Sequence, residues 1–512
     1  MKTFRKLCAV MAAVIIATTS SCGEKERTTP SPAPDKDDNT SVVKAPHIFV
    51  ARTDGYHTFR IPALVKSRKG TLLAFCEGRK ISGSDTGDIN LILRRSTDGG
   101  STWGNIITVW DDGLNTCGNP SPVVDPVTGR IHLLMTWNYQ KDGQSAGDFN
   151  KDGVTKDTRR VWYTCSDDDG LTWVEPREIT SSVKKDDWGW YATGPCHGIV
   201  MTKAPYEGRI VIPCDYNQKG GSGYSHVIYS DDNGATWSEP QYIDEEFIYS
   251  KFDKSAYGPI RGWFVGSGKI CQSKTTKVGS HYRLYCVGSS CRKGSNETAN
   301  WVLYSDDFGE TWNFLGGCDE SPVPGGDEPK AEELPDGSIL LSSRCTGGRN
   351  FNIFTFSDTP SAQGTCGQVA FSGSGNKGVT ALANACNGEV MLVPVTRKKD
   401  NKSMFLLLQS LPFGSGRANV GIYYKALESL ADYRTPEAIA KDWDGRHQSS
   451  YISSAYSTMT WQKNNTIGFV YEEDTYGTSG GGYTIIYKNY SVEQITDSAY
   501  TYNPKVDGDS LT

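Results

Sequence analysis

Ser96-Thr-Asp98-Gly-Gly100-Ser-Thr102-Trp103 returns three more times in this 512-residue chain. The copies are Ser166-Asp-Asp168-Asp-Gly170-Leu-Thr172-Trp173, Ser230-Asp-Asp232-Asn-Gly234-Ala-Thr236-Trp237 and Ser305-Asp-Asp307-Phe-Gly309-Glu-Thr311-Trp312. All share Ser-x-Asp-x-Gly-x-Thr-Trp, and their starts are separated by 70, 64 and 75 residues. Recurrence at such a period marks one supersecondary unit used repeatedly. The residue types predict a hairpin turn. The Asp carboxylate caps backbone N–H groups, and the Gly supplies the positive φ of a tight reversal. Thr-Trp then resumes a strand and buries a large ring.

Outward from these phrases, the chain reads as short strands such as Thr71–Phe75, Arg130–Met135 and Ser338–Ser342, punctuated by turns such as Pro335-Asp336-Gly337. The best helix candidate is short, near Glu428 to Ala438. No second linker interrupts residues 45–505, and that length divided by the repeat gives six to seven units. The expectation is an all-β, six-bladed β-propeller over 45–505, with the last two blades lacking the phrase.

Composition agrees with many turns and short strands: 55 glycines, 13 tryptophans and 26 tyrosines. The net charge is −6, and no basic run interleaved with aromatics appears, so nucleic acid is not an expected partner. At the N-terminus, Lys2, Arg5 and Lys6 precede an apolar run from Leu7 to Ala17 and the small residues Thr18 to Ser21. That is the layout of a secretory signal over 1–22, too short to span a bilayer. Its end, Cys22-Gly23, resembles the lipid-modified cysteine of bacterial lipoproteins. This implies an exported protein, anchored by Cys22 at the cell envelope or secreted. Residues 23–44, with Pro30, Pro32, Pro34 and Asp35 to Asp38, read as a disordered tether. Apart from Cys8 and Cys22, twelve cysteines are scattered without zinc spacing. Cys286 and Cys291 are placed either as a pair facing across a hairpin or as buried thiols.

Chemistry is carried by arginines in strand-like contexts beside acidic residues. Arg60 lies within Thr58-Phe-Arg-Ile-Pro62, Arg344 follows Ile339-Leu-Leu341, and Arg417 precedes Asn419-Val-Gly-Ile-Tyr-Tyr424. Each by itself fits an ion pair with a core carboxylate. Three arginines entering from three blades also suit convergence on one anion in a central channel.

The repeated phrase is the pattern called the Asp-box, and Phe59-Arg-Ile-Pro62 ahead of the first box resembles the Arg-Ile-Pro signature of exo-α-sialidases. Further motifs follow in family order across nearly the whole chain after the tether. The resemblance implies that Arg60, Arg344 and Arg417 grip a substrate carboxylate, with Arg349 the substitute if Arg417 points away. It places the acid/base Asp on the loop after Glu77-Gly-Arg79, at Asp85 or, failing that, Asp88. Arg79 resembles a family arginine that touches a sugar hydroxyl. Glu328, sixteen residues before Arg344, fits the catalytic Glu, although Glu332 and Glu333 lie nearby. Tyr456, in Ser454-Ala-Tyr-Ser457 ahead of Gly468–Glu473, is the implied nucleophile. Trp188 to Gly198 is another family-like segment, with Cys196 where Gly is usual, and Trp137 and Trp190 offer aromatic platforms.

The implied activity is an exo-α-sialidase that hydrolyses terminal α-linked sialic acid with retention, through a Tyr nucleophile. Its partners would be sialylated glycans, glycoproteins or gangliosides, and no cofactor or metal is demanded. A trans-sialidase or intramolecular trans-sialidase would share these residues. A non-catalytic glycan-binding propeller would be expected to have lost them.

Overall fold

The computed structural model describes residues 43–140, 159–194, 198–218, 223–242, 248–265, 270–307, 309–357, 363–462, 465–477 and 482–505. The expected signal, Cys8, Cys22, nearly all of the tether, Cys196 and Phe308 of the fourth box lie outside these residues. Val43 and Lys44, at the end of the expected tether, pair with Trp103 and Thr102 of the first box.

Each of the four boxes folds in the same way. The Ser hydroxyl donates to the Asp carboxylate at 2.7–2.8 Å and accepts the Gly N–H at 2.8–2.9 Å. The Thr hydroxyl and backbone N–H both donate to the same Asp. The glycine shared by the four boxes, at positions 100, 170, 234 and 309, takes φ between 80° and 93°, a region that costs other residues strain. Against the cost of partial burial, these hydrogen bonds hold Asp98, Asp168 and Asp232 below the usual carboxylate range. The Trp rings close the turns: Trp103 and Trp312 are fully buried and donate from Nε1 to the box Gly carbonyl.

The boxes are hairpin turns in a ring of antiparallel meanders. Their first strands are Thr58–Lys66, Thr116–Val124, Trp188–Ala192, Ile260–Phe264, Asp327–Glu333, Val390–Arg397 and Ser454–Trp461. The first two meanders form one eight-stranded sheet, joined by a single parallel pair, Ile89 and Thr116. The last is completed by the N-terminal strand His47–Phe49, which pairs with Thr484–Tyr490 and closes the circle. Seven apolar cores sit between neighbours around the ring, including one shared by the last and first meanders through Phe49, Val470, Phe59 and Trp103. The arrangement is an all-β propeller. The expected count of six blades is not confirmed: among the described residues the pairing and the cores mark out seven meanders. Among the described residues three meanders lack a box, where two were expected.

The helix candidate resolves into a 3-10 turn, Leu430–Asp432, and a short helix, Pro436–Ala440, whose Thr435 cap accepts from the Ala438 N–H. Cys286 and Cys291 do not face each other. They lie on one strand, His281–Arg292, five residues apart, and alternation sends their side chains to opposite faces. All eleven cysteines among the described residues are free thiols.

Candidate active site

The first strands converge on a cavity of about 680 Å³ at the mouth of the ring, lined by residues of six meanders. In all six of those strands the ladder slips at the pocket. The shifts fall between Arg60 and Ala63, Gly118 and Ser121, Trp188 and Tyr191, Ile260 and Gly262, Asp327 and Lys330, and Ser454 and Ser457. A bulge gives one strand an extra residue and re-aims its side chain. At three of these sites a non-glycine residue takes positive φ: Ile61 (56°), Asn119 (53°) and Glu328 (36°). Each is followed by a proline, Pro62, Pro120 or Pro329, which has no N–H to give the ladder. Asn387 and Glu389, just ahead of the remaining first strand Val390–Arg397, line a smaller neighbouring cavity with Ile61 and Tyr456.

Tyr456 and Glu328 come together across the ring, 128 residues apart in sequence. The Tyr456 hydroxyl donates to Glu328 Oε1, while Arg344 Nη1 donates to Glu328 Oε2 at 2.6 Å. Asp327 sits beside this pair, 3.5 Å from Arg344 Nε, and accepts the Glu328 N–H at 2.8 Å. Burial first, and then the Glu328 carboxylate, push the Tyr456 phenol well above its ordinary pKa. The phenol is therefore protonated at neutral pH. Burial works against the Arg344 charge, but Glu328 outweighs it and holds the guanidinium protonated.

Arg60 donates from Nε to the fully buried Glu472 at 2.8 Å, and its pKa is driven upward chiefly by that carboxylate. This leaves its two terminal nitrogens for a ligand. Its guanidinium also lies over the Tyr483 ring, 5.3 Å from the centroid. Arg417 sits not on a strand but in the exposed loop between Lys402–Pro412 and Val420–Leu427. Its guanidinium lies 5.5 Å from the Tyr456 ring centroid, and it has no ion-pair partner among the described residues. Both Arg60 and Arg417 act on the Tyr483 phenol. The three arginines thus gather around the Tyr456–Tyr483 wall. Arg349, the substitute, is wholly buried behind it, bonded to Ser342 and the Cys386 carbonyl, and burial pulls its pKa down to about 10.

Of the two candidate acids, Asp85 lines the cavity and Asp88 does not; Asp88 pairs instead with Lys80 at 3.0 Å. Asp85 is half exposed and held by Arg79 Nη2 at 2.7 Å. Arg79 is buried, with its other donors on Glu77 Oε2 and the Gly83 carbonyl. It braces the Asp85 loop at least as much as it faces a ligand. Glu77 also reaches across to accept the Asn119 N–H at 2.9 Å, and only a glycine at position 118 leaves room, since a Cβ there would lie 2.4 Å from Glu77 Oε1.

Several expected residues prove to belong elsewhere. Glu333 is tied to Ser273, Lys274 and Thr275, and neither it nor Glu332 lines the cavity. Trp190 lines it, whereas Trp137 does not and donates to Asp112. Sequence reasoning missed Glu472 and Glu77 as the partners of Arg60 and Arg79, and missed Arg159. Both glutamates lay inside quoted motifs, and an arginine in an apolar strand calls for a nearby carboxylate.

The chain matches the family described as BNR repeat-like domain over residues 70–343. Among curated proteins it is 40% identical to an exo-alpha-sialidase of Aspergillus fumigatus over 173 residues, 31% of this chain and 41% of that protein. It is 33% identical to a sialidase of Clostridium perfringens over 303 residues, 49% of this chain and 75% of that one. The aligned parts span less than half the length of the first curated relatives. In fold, it resembles a Hadza microbial sialidase with a TM-score of 0.53 at 20% identity, covering 88% of this chain and 68% of that one. It also resembles an intramolecular trans-sialidase from Ruminococcus gnavus with a TM-score of 0.50 at 18% identity, covering 88% and 98%. Four box turns on a closed ring, matched by a family profile over half the chain and by the Clostridium sequence over most of its length, establish that this chain belongs to the sialidase family built on BNR repeats.

Proposed function

We propose that the protein is an exo-α-sialidase that releases terminal α-linked sialic acid from glycoproteins, gangliosides or other sialylated glycans, with retention of anomeric configuration. The observation that carries this reading is the chain Tyr456–Glu328–Arg344, set among Arg60 and Arg417 with Asp85 on a separate loop. A sialoside bears a carboxylate on its anomeric carbon. Guanidinium groups suit that anion through forked hydrogen bonds. A carboxylate nucleophile would be repelled by it, whereas a phenol is not, and sialidases with a Tyr nucleophile depart from the two-carboxylate rule of most glycosidases.

In the first step Glu328 takes the Tyr456 proton as the phenol oxygen attacks the anomeric carbon. Asp85 protonates the departing glycosidic oxygen, so the bond breaks without releasing an alkoxide. A glycosyl-tyrosine results. In the second step Asp85, now a carboxylate, removes a proton from water. The water attacks the same carbon, and the phenolate recovers its proton from Glu328. The high pKa of Tyr456 makes a base within reach essential, and Glu328 is already hydrogen-bonded to it.

The test is hydrolysis of an aryl α-sialoside by purified protein and by Tyr456→Phe. The substitution keeps the ring and deletes the attacking oxygen, so turnover should fall by orders of magnitude while thermal unfolding stays close to wild type. Wild-type turnover in Tyr456→Phe would overturn the mechanism. The same reading takes residues 1–22 as an export signal and Cys22 as the lipid-anchored residue. Fatty-acid labelling of the expressed protein, lost in Cys22→Ser, tests that part separately.

A further inference from the structure

The carboxylate clamp and the Tyr456–Glu328 pair occupy the arc of the ring formed by the fifth, sixth, seventh and first meanders. The opposite wall holds a cation that this chemistry does not use. Arg159 precedes the strand Arg160–Ser166 and lines the cavity with a relative exposure of only 3%. Its guanidinium lies over the Trp190 ring, 5.2 Å from the centroid. Its Nη1 has no hydrogen-bond partner, and no carboxylate among the described residues forms an ion pair with it. Burying a guanidinium donor without an acceptor is unfavourable, and buried polar groups in folded proteins are nearly always satisfied. An unpaired buried donor on a cavity wall is a place for a ligand acceptor.

The surroundings define that acceptor. Glu77, Asp85 and Arg79 act on Arg159, the two acidic groups in favour of its charged form and Arg79 against it. Arg79 is already held by Glu77, Gly83 and Asp85. This wall therefore asks for a hydrogen-bond acceptor. The Trp190 face beneath the guanidinium is occupied by it, so an apolar substituent finds no free aromatic surface there. We propose that Arg159 is a specificity-determining residue for the sialidase reaction, its guanidinium donating to one oxygen of the bound sugar beside the Arg159–Trp190 pair.

This rests on the sialidase reading, and the experiment separates the two. Wild type, Arg159→Met and Arg159→Lys are assayed on an aryl α-sialoside and on a set of analogues in which one oxygen-bearing substituent at a time is replaced by hydrogen. Wild type should lose tenfold or more in kcat/KM on one analogue, because the buried donor is left unpaired. Arg159→Met should lose a comparable factor on the parent substrate, mostly in KM, and should not respond further to that one deletion. Arg159→Lys should recover part of the loss. A purely structural role would lower the melting temperature while leaving the pattern across the analogues as in wild type. That pattern, or wild-type kinetics in Arg159→Met, overturns the inference while leaving the sialidase reading intact. No turnover of any sialoside by wild type overturns both.

Discussion

Replacing Glu328 by Gln tests the proton relay with the smallest change of shape. Glu328 serves two donors, the Tyr456 hydroxyl on Oε1 and Arg344 Nη1 on Oε2. An amide has one acceptor oxygen and one NH2 group. The oxygen will turn to Arg344, because an NH2 facing a guanidinium would set donor against donor. Tyr456 then meets an NH2 group, its own proton loses its acceptor, and no base stands within reach. Loss of a general base removes roughly a hundred- to ten-thousand-fold in rate, or about 3–5 kcal/mol of barrier. The stability cost is smaller. One charge-assisted hydrogen bond contributes about 1.5–3 kcal/mol, and the lower end applies because Arg344 and Glu328 are 18% and 16% exposed and Asp327 remains 3.5 Å from Arg344. The assay is kcat and KM on an aryl α-sialoside, beside a denaturant melt of the same preparation. A kcat within tenfold of wild type, in a folded protein, would refute Glu328 as the base.

Asp85→Ala should depress turnover of natural glycosides far more than of aryl sialosides, whose phenolate departs with little protonation; equal losses on both would move the acid elsewhere. Arg60→Lys should raise KM and lower kcat/KM with little change in melting temperature, because Lys cannot engage Glu472 and a substrate carboxylate together through a fork; unchanged kinetics would remove Arg60 from the clamp. Stability should also fall on acidification. Burial lowers the pKa of His226 to about 3 and of His132 to about 4, against about 6.5 unfolded. The unfolded chain therefore binds more protons below pH 6.5, so the stability these residues contribute is full above that pH and declines as pH falls toward the folded values. Between pH 7 and pH 5 each costs about 2 kcal/mol, which His226→Gln should reduce in denaturant titrations at the two pH values; an unchanged pH slope would contradict it.

The box turns were legible in the sequence because every contact in them is local: Ser, Asp, Gly and Thr satisfy one another within eight residues. Tyr456, Glu328, Arg60 and Asp85 were legible only through resemblance, since what brings them together is ring closure over hundreds of residues. The blade count was not fixed by the sequence pattern, because three of the described meanders end in turns of other chemistry and nothing local announces them. Ile61-Pro62, Asn119-Pro120 and Glu328-Pro329 carried a signal that went unused. A proline inside a strand points to a bulge, and these three bulges lie at the cavity. Arg159 was not legible, because it follows polar, charged residues that give no hint of burial, and only the packing of Trp190 against it makes it part of the site.

The central claim is retaining hydrolysis at Tyr456, and the anomer released first tests it most directly. The protein is mixed with an aryl α-sialoside and the first turnovers are followed by proton NMR, before the free sugar equilibrates. The account predicts that α-sialic acid accumulates first and then mutarotates to β. Release of the β anomer first, or no cleavage of the sialoside, would contradict it.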